Sequence, residues 1–473
     1  MYKICIEKPE WMPGGYVDVI NGKNIDCIKG LEFRFPRSAR QILRKRKPIL
    51  PSMHAEKYRV VTESAIPGPW QNIVTPYLID IMDAADYPSV LTLILCKCVQ
   101  SGGSEAAHNF IGYSVDRKPG PVMYVYPTMD AGKKQLKKRI LTMFKASPHL
   151  KRYLTGAVND ETNMEIKLKH LTISIAWAHS ATSLASDPMC YVVFDETDKY
   201  PAAAAKTESD PISLGEKRTT TFRRRRKAKI WKLSTPTTFN GPISVSLREE
   251  AQVVFDYYVQ CPECGQFQKM IFKRIKWAGG SDADPEKIEA EYLAWYKCEF
   301  CSGKWDDEKR NRSVRSGHWR SRGDHQLTVK KYLETYNPKK VGFHLPAWIS
   351  YFVSLSESAA ASLRSRNSRT KLKDFLNNYA AEPWKEYEVI ANKNEEEILK
   401  CRSDIAPQTI PESVVALTAG IDVQKTGFWY VVRAWAKDWT SWNIDHGFLG
   451  NWTDVEKLLF ENVYPVPDSD RVL

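Results

Sequence analysis

Two acids close one apolar stretch of this chain: Cys190-Tyr191-Val192-Val193-Phe194 runs into Asp195-Glu196. A carboxylate at the lip of a buried strand can hold a divalent cation, and its neighbour can orient and activate a water. About 90 residues earlier, the apolar run 91–96 meets Lys97 and then the turn Ser101-Gly102-Gly103-Ser104. Glycines let backbone N–H groups converge on an anion, and a helix N-terminus behind them adds its dipole. The common phosphate loop, G-x-x-x-x-G-K-[ST], has its lysine just before the hydroxyl residue. Gly103 occupies that place here, and the nearest lysine is Lys97 at the front of the loop. From there it can reach the β- and γ-phosphates, with Ser104 on Mg²⁺. A third segment, Ile230-Trp231-Lys232-Leu233, ends in Ser234-Thr235-Pro236-Thr237, small hydroxyl residues that can feel a γ-phosphate. Taken singly, each segment also fits an ordinary glycine turn or polar strand end.

The cysteines give the sharpest spacing. Cys261-Pro262-Glu263-Cys264 and Cys298-Glu299-Phe300-Cys301 are two C-x₂-C knuckles 33 residues apart. Four thiolates can enclose a tetrahedral Zn²⁺, a closed site that stabilises the fold and leaves no position open for chemistry. The other six cysteines are scattered, which argues against a disulfide scaffold and for a reducing interior.

These groups need elements to position them. The run at 91–96 predicts a buried parallel strand, followed by a helix from Glu105. Strands are expected at 121–128, 190–194 and 230–233, and a hairpin over 160–177. The cysteine insertion, 258–305, should carry its own helical segment over 285–296. Hydrophobic residues make up 43% of the chain and charged residues 26%, as in globular proteins. The net charge of +13 points to an anionic partner, nucleic acid first. Seven basic residues and no acid lie in 34–47, and a second run comprises Arg218, four arginines at 223–226, Lys227 and Lys229. Each run serves either a polyanion or a solvated face. Glu7, Lys8, Pro9 and Pro13 stand where a signal peptide would be apolar, and the longest apolar run is too short to span a membrane.

In this order the motifs resemble the large subunit of tailed-phage DNA-packaging terminases of the lambda-like type. That family has a variant loop K-x-x-x-x-G-x-[ST], matched from Lys97 to Ser104. The segments VVFDE, STPT, CPxCG, GFHL (Gly342 to Leu345) and G-[IV]-D-V-Q (Gly420 to Gln424) follow as in the family. The resemblance covers about residues 60–473 and implies an α/β fold: a P-loop (ASCE-type) ATPase with a zinc-knuckle insertion, then the start of an RNase H-like nuclease domain. The implied layout is a basic segment at 1–50, an ATPase at 51–355 including the insertion 258–305, a helical segment and linker at 356–413, and the nuclease part at 414–473.

The implied nucleotide contacts are Lys97, Gln100, Gly102, Gly103, Ser104 and Asp195, with Trp70 and Gln71 against the base. For Trp70, core packing is the competing reading. Glu196 is the catalytic carboxylate beside Lys97 that prepares the attacking water, and Ser104 and Asp195 hold Mg²⁺. Cys261, Cys264, Cys298 and Cys301 hold Zn²⁺. Asp422 matches the family's first nuclease acid, a ligand for Mg²⁺ or Mn²⁺. Its partner acids are expected on later strands, so the nuclease is expected to be incomplete in a chain that stops at Leu473.

The implied function is ATP-driven packaging of double-stranded DNA into a procapsid in the host cytoplasm. The implied partners are the portal protein, the small terminase subunit and further copies in a ring, with no membrane. A helicase-like ATPase that remodels nucleic acid is the alternative. Gly103 in the usual lysine position motivates another, a zinc-stabilised DNA-binding scaffold without ATPase activity.

Overall fold

The computed structural model describes residues 47–205, 208–323, 326–366, 368–385, 401–467 and 472. The basic residues Arg34, Arg37, Arg40, Arg44, Lys45 and Arg46 lie outside the described residues, as does the part of the expected linker at 386–400. The chain divides into two units, Met1–Lys385 and Glu386–Leu473.

In the first unit a short ribbon, β1 (Val60–Val61) with β2 (Gly68–Pro69), precedes a large mixed sheet. The sheet is built from β3 (Thr92–Lys97), β4 (Val122–Tyr126), β5 (Glu165–Leu168), β6 (Leu171–Trp177), β7 (Tyr191–Asp195), β8 (Lys229–Ser234), β9 (Val253–Gln260) and β10 (Phe267–Lys269). A separate small sheet, β11 (Ile275–Trp277), β12 (Ala294–Lys297) and β13 (Lys304–Trp305), interrupts it before β14 (His318–Ser321) and β15 (Lys340–Leu345) return. The spatial order is β10–β9–β15–β3–β8–β7–β4–β6–β5, with β14 also paired to β9. Every pairing from β9 across to β6 is parallel, and the edge strands β5, β10 and β14 are antiparallel. Strands β3, β4, β7 and β8 are buried along their whole length. Their continuous apolar runs reflect a parallel sheet covered on both faces.

Register aligns the functional ends. Cys96 lies opposite Ser234, and Asp195 opposite Leu233. The residues leaving β3, β8 and β7 therefore emerge at one edge of the sheet. The helix after β3 spans Gly103–Arg117, beginning two residues before the expected Glu105. The expected hairpin is the pair β5–β6.

The insertion departs from expectation in one place. Its helix is only Pro285–Ala290, and the residues read as its second half form β12. Tyr292 has φ of 54°, which breaks the helix. Beyond it Trp295 and Tyr296 point to alternate faces and pair with β11, as aromatic residues favour in strands. Helices Leu355–Ser365 and Arg369–Phe375 and the π-turn Leu376–Ala380 belong to the first unit.

The second unit is a three-stranded antiparallel sheet, β16 (Val414–Gln424), β17 (Gly427–Ala436) and β18 (Ser441–Leu449), with the helix Trp452–Phe460. Val432, Ala434, Ile444 and Leu458 are central in its core. Among the described residues no helix is long and apolar enough to cross a membrane.

Candidate functional site

Lys97 is the last residue of β3 and is 6% exposed. Its side chain folds back across the loop. A Cβ placed on Gly103 would lie 2.5 Å from Lys97 Cδ and 3.0 Å from Leu95 Cδ2. Gly103 is therefore the space through which the front-placed lysine passes. Gly102 adopts φ of 79°, open to glycine, and Gln100 holds φ of 56°. The Ser101 hydroxyl donates to the Cys98 carbonyl, and the Cys98 N–H donates to Leu345 O in β15. The loop is thus tied to β15, the neighbour of β3.

Across the cleft, Asp195 ends β7 and Glu196 turns the chain at φ of 60°. A left-handed non-glycine residue costs about 1–3 kcal/mol and is often found where a side chain must be aimed. Lys97 Nζ lies 3.6 Å from one Glu196 oxygen and Lys199 Nζ 2.7 Å from the other. Burial alone would raise the Glu196 carboxyl, but the two lysines hold it below the usual range. Asp195 moves the other way: burial raises it, against the opposing pull of Lys97 and Ser104. Asp195 Oδ1 is sealed from solvent with no hydrogen-bond partner. A buried orphan oxygen beside Lys97 and Ser104 fits a cation ligand.

Lys97, Gln100, Glu196 and residues 235–237 line one cleft of about 500 Å³. Two features of it escaped the sequence reading. Asp198 clamps the segment after β8: its oxygens accept from Thr237 N at 2.6 Å, Thr237 Oγ1 at 3.0 Å and Ile243 N at 2.7 Å. The far wall comes from the helix Arg369–Phe375 and its π-turn, through Thr370, Lys373 and Asn377. The only local signal was an asparagine pair inside an apolar stretch, which means nothing until the fold places it. Behind the loop, Trp70, Gln71, Thr75, Gly102 and Glu105 bound a second cavity of about 90 Å³. Trp70 also packs on the core and donates through Nε1 to Asn72 Oδ1, so packing and a place beside the loop coexist.

The four cysteines converge. Cys261 Sγ lies 3.8 Å from Cys301 Sγ, and Cys264 Sγ 3.8 Å from Cys298 Sγ. A tetrahedral ion with bonds of about 2.3 Å separates its sulfurs by about 3.8 Å. Backbone N–H groups of Glu263 and Cys264 point at Cys261 Sγ, and Gln268 Nε2 donates to Cys298 Sγ at 3.2 Å. His344, in GFHL, contacts the Ala381 carbonyl and lies 3.7 Å from Asp256. In the second unit Asp422 is exposed on β16 and accepts from Gln424 Nε2 at 2.6 Å. Asp438 caps a local turn, Asp454 donates its backbone N–H to the helix cap Asn451, and Asp445 is buried against Tyr430 and Tyr464.

Comparison with known proteins places the chain in a family. Residues 64–319 match the model of the phage terminase large subunit gpA, ATPase domain. Residues 340–465 match that of the terminase large subunit gpA, endonuclease domain. The large terminase subunit of Enterobacteria phage P21 is 23% identical over 426 residues, covering 84% of this chain and 61% of its own length. That of Escherichia phage lambda is 21% identical over 424 residues, covering 85% and 63%. The chain thus spans somewhat over three fifths of the length of these relatives. The large terminase ATPase domain of Thermus phage P74-26, as an R139A mutant, aligns over 62% of this chain and 89% of its own, at 15% identity and a TM-score of 0.32. With one gpA model spanning more than half of the sequence and a second following it, the chain belongs to the gpA family of phage terminase large subunits.

Proposed function

We propose that the chain is an ATP-driven translocase that packages double-stranded viral DNA into a procapsid, with a P-loop (ASCE-type) ATPase as its motor. The observation that carries this reading is the convergence of Lys97, Glu196 and residues 235–237 on one cleft at the carboxyl ends of parallel strands. Crevices at that edge are where open α/β sheets take their ligands. Strand β8 lies between β3 and β7, so its hydroxyl segment stands between the loop and the acids.

Lys97 and the loop amides neutralise the triphosphate, with Gln100, Gly102 and Gly103 shaping the loop. Trp70 and Gln71 face the base from the cavity behind it. Ser104 and Asp195 would hold Mg²⁺, which when bound neutralises charge on the β- and γ-oxygens. Glu196, kept ionised by its lysines, orients the attacking water and accepts its proton. Asp198, two residues after Glu196, ties that turn to the segment 235–243 through its three hydrogen bonds. Cys261, Cys264, Cys298 and Cys301 would hold a structural Zn²⁺, and Asp422 a nuclease Mg²⁺ or Mn²⁺. The motor works in the host cytoplasm as a ring on the portal protein, with the small subunit. Stimulation of hydrolysis by portal would separate it from a helicase-like ATPase.

The test uses Lys97→Ala and Glu196→Gln in the full chain, measuring ATP binding and steady-state hydrolysis. Lys97→Ala should lose binding. Glu196→Gln should bind ATP but turn it over at least about a hundredfold more slowly. Parental turnover in either variant would move the chemistry elsewhere.

A further inference from the structure

The helix Arg369–Phe375 and the π-turn Leu376–Ala380 lie far along the chain from the phosphate loop, yet they form one wall of its cleft. Thr370, Lys373 and Asn377 recur at helical spacing and line it together, opposite Lys97 and Glu196. The wall is bolted in place. The Val99 N–H of the loop donates to the Asn378 carbonyl at 3.1 Å. The Ala381 carbonyl accepts from Cys96 Sγ at 3.3 Å and lies 3.1 Å from His344 Nε2. Ala381 itself takes φ of 54°, and π-turns inside helices are frequent at functional sites.

Asn377 is unusual among these residues. It is 8% exposed, it lines the cleft, and its Oδ1 is sealed away without a hydrogen-bond partner. An unpartnered buried amide costs free energy, so a fold that retains one needs a ligand or another reason. An asparagine amide offers one acceptor oxygen and two donor hydrogens, and its two ends exchange by rotation about χ2.

We propose that Asn377 turns its side chain into the cleft to contact the γ-phosphate end of the bound triphosphate: its N–H donates to a γ-phosphate oxygen and its carbonyl accepts from the attacking water. Asn377 thereby aligns the water that Glu196 deprotonates. ADP, which lacks that phosphate, leaves the amide unpaired. The wall therefore distinguishes ATP from ADP. This rests on the ATPase reading above and adds a residue to it.

The test compares parent, Asn377→Ala and the isosteric Asn377→Asp in the full chain. Affinities are measured for ADP and for a non-hydrolysable ATP analogue, both with Mg²⁺, together with steady-state kcat. Both variants should bind ADP within about twofold of the parent. Both should lose about tenfold or more in affinity for the analogue and in kcat. Asn377→Asp should lose more analogue affinity, because its carboxylate faces phosphate. Equal losses for ADP and analogue, or parental kcat in both variants, would overturn the proposal. So would a fall in ADP binding accompanied by a lower melting temperature in both variants, which marks a packing role. A parent that binds no nucleotide would sink the ATPase reading itself. A parent that binds and hydrolyses ATP, loses turnover in Glu196→Gln and is unaffected at Asn377 would sink this inference alone.

Discussion

Gly103 stands where the common phosphate loop carries its lysine, and the space it leaves is filled by Lys97. The loop is a rearrangement in which the same ammonium arrives from the strand side. Glycine is needed there for room, since its φ lies outside the left-handed region. Gly103→Ala should therefore fold normally but push Lys97 off its path, because the added Cβ meets the middle of that side chain at 2.5 Å. The expected result is about a tenfold or greater loss of ATP affinity, read by calorimetric titration, at a melting temperature close to the parent's. Unchanged affinity would mean that Lys97 has another route to the phosphates. Burial also sorted residues that looked alike in the sequence. Lys229 closes the basic run yet is buried, and its Nζ donates to the Tyr87 and Val90 carbonyls. Burial lowers its pKa to about 8.

Among the elements, the cysteine insertion was the most legible, because the ligand spacing of two C-x₂-C knuckles is a property of the local chain. The strand β12 was less legible. It leads straight into Cys298, and its antiparallel pairing with β13 makes the second knuckle the turn between the two strands. The small sheet is too short to carry a core of its own, and binding of Zn²⁺ would supply folding free energy on the order of 10 kcal/mol. Protein purified without added zinc should carry about one equivalent by elemental analysis. Removing it with a chelator, or making Cys264→Ser, should lower the melting temperature and expose the insertion to proteolysis. A metal-free parent of equal stability would rule out the site.

On the scale of the molecule, the unit boundary and the family boundary differ. The endonuclease-domain match begins at residue 340, yet β15 is a strand of the large sheet and the first unit runs to Lys385. The GFHL segment is thus structurally part of the phosphate-loop unit, pairing with β3 along its length. The charge of +13 is also a property of the whole chain. Arg224, Arg225, Arg226 and Lys227 are exposed at one turn of the first unit. If they track phosphates, DNA affinity should fall linearly with salt on a log–log plot, each neutralised phosphate adding about 0.9 to the slope. Replacing all four by alanine should reduce that slope by about 3–4. A slope that does not change would make this turn a solvated face, and would leave DNA binding to other surfaces.

The sequence alone determined the strands β3, β4, β7 and β8, the spacing of the cysteines and the order of the motifs. These are local properties. A continuous apolar run marks a strand buried on both faces, and ligand spacing within a knuckle is set by a few residues of chain. The tertiary structure alone decided what faces what. Parallel neighbours are joined through long crossovers, so no local pattern reveals that β8 would lie between the loop strand and the acid strand. Nor does one reveal that Asp198 would clamp the hydroxyl segment, or that residues 370–377 would wall a cleft opened near residue 97. Those contacts join residues dozens to hundreds of positions apart, and they follow from packing the whole sheet.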